Sequence, residues 1–383
     1  MRPRQSGLDL LRALAILWVM LYHLTSYGVA LPGVVEHGWM GVDLFFVLSG
    51  YLIGGQLLRP LAVGGQPSWR GFLLRRALRV LPAYLAVLAI YAAVPAVRES
   101  PGLRPLWQFL SFTVNLVPDA DRLAFSHAWS LCVEEHFYVL LPPVVWLLAR
   151  YPGMRRTAAV ALAVLVGGML LRGALWQSGV APHLGEGGYV ARFVALIYNP
   201  TYARLDGLLA GVTLAAVQVF RPSWWAWATR RSAVFLALGL AGLVAATRVD
   251  LASFWGAVVV FPLVALSFGG MLVAAATERG WLGRMRVPGS MFLARIAFSL
   301  YLTHKAVFHV VRDRIGEASG GSDVIASGVY IAAALLVATL LYLMVERPFL
   351  RLRDRFMQPR GGESGRHPTI KPPAEPFAET QQS

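Results

Sequence analysis

Apolar residues run along this chain in long unbroken stretches, separated by short polar segments rich in arginine. A helix needs about 20 mostly apolar residues to cross the hydrocarbon of a bilayer. Ten stretches supply them, at 9–28, 38–58, 80–97, 131–149, 157–176, 204–220, 233–247, 254–276, 290–311 and 326–346. Residues 189–203 are also apolar but short, and read as a re-entrant or interfacial segment. From Met357 the chain turns to Pro, Gly and polar residues, a composition that buries too little apolar surface to fold. The pattern predicts an all-α, polytopic transmembrane bundle of about ten spans over residues 1–356, with a disordered cytoplasmic tail at 357–383.

Composition agrees: 57% of the 383 residues are hydrophobic and 14% charged, a balance that hardly keeps a soluble protein of this size in solution. A net charge of +15 in a soluble domain would suggest nucleic acid. Here 33 of the 35 basic residues are arginine and lie mostly between apolar runs, so the charge is topological and no nucleic-acid partner is expected. With the N-terminus inside, the inner segments hold 23 basic residues, Arg279 among them, and the outer loops seven, Arg122 among them. That asymmetry puts both termini in the cytoplasm. The single cysteine, Cys132, excludes an intrachain disulfide and a Cys-based zinc site. Met1-Arg2-Pro3-Arg4 resembles the start of a signal peptide, but Arg12, His23 and the lack of a small-residue cleavage site make the first run a retained span.

Ionisable side chains inside such runs are costly unless they meet a partner or a polar cavity. Arg12 and His23 are eleven residues apart, within about 20° of three full turns, so they share one helix face roughly 16 Å apart along the axis. Alone, the pair also fits a snorkelling arginine and a buried, hydrogen-bonded histidine. Asp43 enters the second span at about the depth of His23, where it can orient an imidazole or cap the helix start. In the fourth span Ser130, Glu134 and Tyr138 follow i, i+4, i+8 spacing down one face, and Glu135 points about 100° away. Arg204 and Asp206 open the sixth span, and Tyr301 and His304 lie in the outer half of the ninth. Five spans thus carry ionisable groups at similar depth, which predicts a shared polar cavity. On the cytoplasmic side Arg75, Arg76 and Arg79 precede the third span, and Arg76 and Arg79 are spaced to grip phosphate oxygens or to mark topology.

These residues resemble acyltransferase family three, polytopic bacterial enzymes that O-acylate surface glycans and related acceptors. Arg12 and His23 match its Arg-x10-His signature, "GVDLFFVLSGYLI" matches around Asp43, and Arg76 and Arg79 match Arg-x-x-Arg. Ser130, Glu134 and Tyr138 in "WSLCVEEHFY" match Ser-x3-Glu-x3-Tyr, with His136 where glutamine is usual. "RLDGLLAG", "SLYLTH" and "ERP" extend the resemblance over about residues 6 to 350, with Lys305 standing where a small or apolar residue is common. The resemblance implies a multi-pass enzyme of the bacterial inner membrane that takes an acyl group from cytoplasmic acyl-CoA, most often acetyl-CoA, and needs no metal. It implies a hydroxyl acceptor on a carbohydrate, lipid-linked or free. His23 is then the expected general base with Asp43 or Glu134 orienting it, and Arg12, Arg76 and Arg79 the donor-binding residues. Ser130, Tyr138, Arg204, Asp206, Tyr301 and His304 are the expected cavity residues. A proton-coupled transporter or glycolipid flippase is the competing reading, since it too uses intramembrane His, Asp and Glu.

Overall fold

The computed structural model describes residues 5–117, 123–151, 153–278, 280–315 and 323–357. Arg122, Arg279 and the expected disordered tail from residue 358 onward lie outside the described residues. Every regular element among the described residues is helical. Each of the ten apolar stretches is occupied by a helix: α1 (Ser6–Thr25), α2 (Met40–Ala62), α3 (Trp69–Ala93), α5 (Ala128–Arg150), α6 (Met154–Leu175), α8 (Asp206–Phe220), α10 (Ser232–Ala246), α11 (Phe261–Ala275), α13 (Ser290–Ile315) and α14 (Asp323–Leu341). Shorter helices fill the connections: α4 (Leu106–Leu110), α7 (Tyr189–Phe193), α9 (Pro222–Arg230) and α12 (Trp281–Arg284), with α15 (Arg347–Met357) closing the described chain. The apolar segment at 189–203 forms α7 and a π-turn, Val194–Tyr198.

Among the described residues six helical segments are long and apolar enough to cross a membrane, and α9 with α10, bent by 76° to each other, would make a seventh. Length is what separates this number from ten in part: α8 and α10 have 15 residues each. The interior is built on α1 and α2, whose apolar stretches are 61% and 78% buried, while α6 at 11% and the α14–α15 segment at 22% lie at the periphery.

Close approach of helices in lipid requires small residues where the backbones meet. α2 carries Gly50 and Gly54, and α8 carries Gly207 and Gly211, each pair four residues apart. The pairs face each other reciprocally. A methyl group at Gly50 would overlap the Leu208 carbonyl, and one at Gly211 would overlap the Val47 carbonyl. Gly41 does the same for α2 against α1 at Ala15, and Gly7 for α1 against α11 at Ala275. The α2–α8 contact fixes the site, because Asp43 lies one turn into α2 and Arg204 lies two residues before the first residue of α8.

Gly211→Val should therefore lower the thermal unfolding midpoint in detergent, by an amount equivalent to about 1–3 kcal/mol of overpacking. Gly167→Ala, at a position with open space around it, should leave the midpoint unchanged in the same assay.

Candidate functional site

A cavity of about 690 Å³ opens among α1, α2, α3, α5, α13 and α15. Six arginines line it: Arg12, Arg75, Arg76, Arg79, Arg295 and Arg353. Glu134, Ser130 and Tyr301 line it as well, together with apolar residues of α2 and α13. Along α13 the lining runs from Ala294 to Tyr301, about 10 Å of axis at 1.5 Å per residue. The space therefore has a strongly cationic part and a part bounded by hydroxyls and one carboxylate.

Several side chains around it are held by neighbours. Arg12 reaches Asp9 one turn below at 3.3 Å. Arg79 lies 3.8 Å from the buried Glu346, which accepts a 2.8 Å bond from the Ser299 hydroxyl. The Arg76 guanidinium sits over the Tyr138 ring, 4.1 Å from its centre, and its Nε is buried with no hydrogen-bond partner. Tyr138 donates to the Glu134 carboxylate at 2.7 Å and is also bonded to the Ser49 hydroxyl. Glu134 thus belongs to the cavity wall, and Glu135 is not among the lining residues.

Beyond Tyr301 lies a histidine pair. His304 Nδ1 faces the backbone carbonyls of Tyr301 at 2.8 Å and Leu300 at 3.1 Å. Carbonyl oxygens only accept, so Nδ1 carries the proton and neutral His304 offers a lone pair on Nε2. His23 Nδ1 lies 2.9 Å from that nitrogen and donates to it. The half-buried His23 ring is left with its own lone pair on Nε2, the arrangement a general base needs. Behind the pair, the His127 ring centre is 5.2 Å from that of His304, and His127 Nε2 donates to the Leu302 carbonyl at 3.2 Å. The Tyr301 hydroxyl donates to the His127 carbonyl at 3.0 Å and receives the Ser130 hydroxyl at 2.6 Å. Lys305 is turned away into an ion pair with Glu99 at 3.2 Å.

Asp43 does not orient His23. Its two oxygens receive Arg204 Nη2 at 2.8 and 2.9 Å. Arg204 is buried beside four aromatic rings, with Phe261 and Tyr198 at 4.2 and 4.5 Å from its guanidinium carbon and Trp129 and Phe46 farther out. Asp206 is held in the same way by Arg172, at 2.8 and 3.1 Å. Arg172 also donates to the Ala203 and Ala257 carbonyls, both at 2.7 Å, the latter in a π-turn at Gly256–Val260.

The polar groups foreseen in five spans thus divide into three neighbourhoods rather than lining one space. Arg12, Arg76, Arg79, Ser130, Glu134 and Tyr301 line the cavity. His23 and His304 form the pair beyond it, and Asp43, Arg204 and Asp206 form an ion-pair cluster. Tyr138 braces the wall from behind. Sequence reasoning passed over Arg172, Arg295, Arg353 and His127. A lone arginine in the middle of the apolar run "GGMLLRGALW" was signal enough for Arg172, and His127 lies three residues before Ser130 at the start of the fourth span. Among the described residues no three His, Cys, Asp or Glu side chains converge as a metal site requires.

Comparison with known families matches an acyltransferase domain, acyltransferase family three, over residues 5–343. The chain belongs to this acyltransferase family. Two Staphylococcus aureus proteins illustrate the similarity. One, from strain COL, has a name that marks O-acetyltransferase activity as unproven and is 31% identical over 152 residues, 36% of this chain and 24% of the relative. The other is the O-acetyltransferase OatA of strain NCTC 8325, 30% identical over 159 residues, 38% of this chain and 25% of the relative. The chain spans about a quarter of the length of the curated relatives it matches. No solved structure matches it. In this structure the aspartate of α2 is the counter-ion of Arg204.

Removing that counter-ion leaves a buried guanidinium uncompensated, which costs about 3–5 kcal/mol. Asp43→Asn should accordingly lower the unfolding midpoint sharply, and Asp43→Asn combined with Arg204→Met should recover much of the loss. A stable, inactive Asp43→Asn protein would instead give Asp43 a chemical role.

Proposed function

We propose that this protein is a multi-pass O-acyltransferase of the bacterial inner membrane that moves an acyl group, acetyl above all, from cytoplasmic acyl-CoA to a hydroxyl of a carbohydrate acceptor, free or lipid-linked. In this reading all ten helices cross the bilayer, α8 and α10 as short spans, and both termini are cytoplasmic. The observation that carries the chemistry is the ordered bond from His23 Nδ1 to His304 Nε2, which leaves His23 Nε2 basic. The family and the names of the relatives support acyl transfer.

Donor phosphates sit among the cavity arginines, where the Nε–H of Arg76, which has no partner among the described residues, can donate to an anion. The pantetheine arm extends along α13 and brings the thioester past the Ser130–Tyr301 hydroxyls. His23 Nε2 takes the proton of the acceptor hydroxyl as its oxygen attacks the thioester carbonyl carbon. The carbon–sulfur bond breaks, the ester forms, and the proton passes from His23 to the departing CoA thiolate. His304 acts through His23 by fixing its tautomer.

Purified protein in detergent, given labelled acetyl-CoA and candidate glycans, should transfer label to acceptor. His23→Ala should abolish transfer while acyl-CoA still binds, a loss confined to the chemical step. A well-inserted His23→Ala protein with near-normal turnover would remove the mechanism.

Arg76→Ala with Arg79→Ala should weaken acyl-CoA binding by an order of magnitude or more, since charge-assisted contacts contribute about 1.5–3 kcal/mol each. Arg→Lys at both positions should recover part of it, because charge remains and the planar fork is lost. Isothermal titration with acyl-CoA checks both.

A further inference from the structure

The last helical segment is longer than a bilayer requires. From Ile325 to Phe356 it runs for 32 residues. Residues 325 to 346 already span about 32 Å at 1.5 Å per residue, the thickness of the hydrocarbon core. With α14 across the bilayer as proposed above, α15 emerges into the headgroup layer.

The two sides of α15 differ. Leu350, Arg353 and Asp354 face the cavity, and Arg353 is bonded to Asp354 at 2.7 Å. The opposite side continues the lipid-facing stripe of α14. Leu336, Leu340 and Met344 are exposed at 62%, 45% and 67%, and Arg347, Arg351 and Arg355 follow at steps of three, four and four residues, all exposed. None of these three arginines has a hydrogen bond or ion pair among the described residues. A ladder of unneutralised guanidinium groups directly below an apolar stripe lies at the depth where lipid phosphates begin.

We propose that Arg347, Arg351 and Arg355 form a binding site for anionic phospholipid headgroups of the adjoining leaflet. Phosphate oxygens take the forked N–H donors, and the acyl chains lie along Leu340 and Met344. The bound lipid holds α15 on its outer side, and α15 carries Leu350 and Arg353 of the cavity wall on its inner side. The inference rests on the proposed crossing of α14 and not on the proposed acyl transfer.

Short-chain phosphatidylglycerol and phosphatidylcholine, titrated separately into the detergent-purified full chain at fixed ionic strength, provide the test, read as the shift in unfolding midpoint. Phosphatidylglycerol should raise the midpoint saturably and phosphatidylcholine should not. Arg347→Gln, Arg351→Gln and Arg355→Gln together should weaken the apparent affinity at least tenfold, in line with the roughly additive attraction of basic residues at an anionic surface. Should the triple variant fail to fold, Arg351→Gln alone should weaken the affinity several-fold and Arg351→Lys should keep most of it. Arg155→Gln with Arg156→Gln, an equally exposed pair at the start of α6, should bind as the parent does. Equal responses to the two lipids, or equal losses in the α6 and α15 variants, would overturn the site. Binding of acyl-CoA to lipid-free protein is measured separately, so failure of the donor reading and failure of the lipid site are distinguishable.

Discussion

A guanidinium enclosed by aromatic rings inside a membrane bundle requires a carboxylate, and the Asp43–Arg204 bond meets that requirement at the point where α2 and α8 touch. Charge attraction alone rarely repays the loss of water around both ions. Here both carboxylate oxygens are bonded, a second guanidinium nitrogen reaches the Tyr198 carbonyl at 2.9 Å, and the ring faces contribute their own attraction. The neighbouring Arg172–Asp206 pair repeats the device and draws α6 and the Gly256–Val260 turn onto the start of α8. Glycines make the first pair geometrically accessible, because bare backbone lets α2 and α8 approach closely enough for Asp43 to meet Arg204.

That clamp is a rigid base for a more delicate arrangement on α1 and α13. The two histidines hold each other by a single bond whose direction is set by α13 backbone carbonyls, groups that cannot change their role. Protonation of His304 would reverse the logic, since its Nε2 would then donate. Lys305, the residue next in sequence, is drawn off by Glu99 and by a 2.6 Å bond to the Ser126 hydroxyl, so its charge is matched outside the pair. The departure from the family pattern at this position is thereby absorbed locally.

Periodicity made single helices legible. It placed Arg12 and His23 on one face of α1, and Ser130, Glu134 and Tyr138 on one face of α5, and the cavity and its bracing meet those faces. What periodicity does not contain is the identity of the neighbour across a helix interface. Asp43 and His23 lie at similar depth, yet Asp43 turns toward α8 because Gly50, Gly54, Gly207 and Gly211 bring that helix close. His304 reaches His23 because α13, ninth of the apolar runs, lies against the first. Arg295 and Arg353 escaped notice for a related reason: arginines flanking apolar runs are expected from topology alone, and only the three-dimensional convergence separates them from the rest.

The cavity and the histidine pair are separated by little. Tyr301 lines the cavity, and its ring centre is 5.9 Å from that of His304. Arg295 and His304 are nine residues apart on α13, half a turn out of phase, so the helix shows one face to the cavity near its start and another to α1 farther along. α1 holds the opposite design, with Arg12 and His23 in phase. Ser130 of α5 meets Tyr301 of α13 between these two levels. Their bond joins two hydroxyls that each also have the His127 carbonyl within reach. Opening it costs one neutral hydrogen bond, far less than moving any of the buried ion pairs around it.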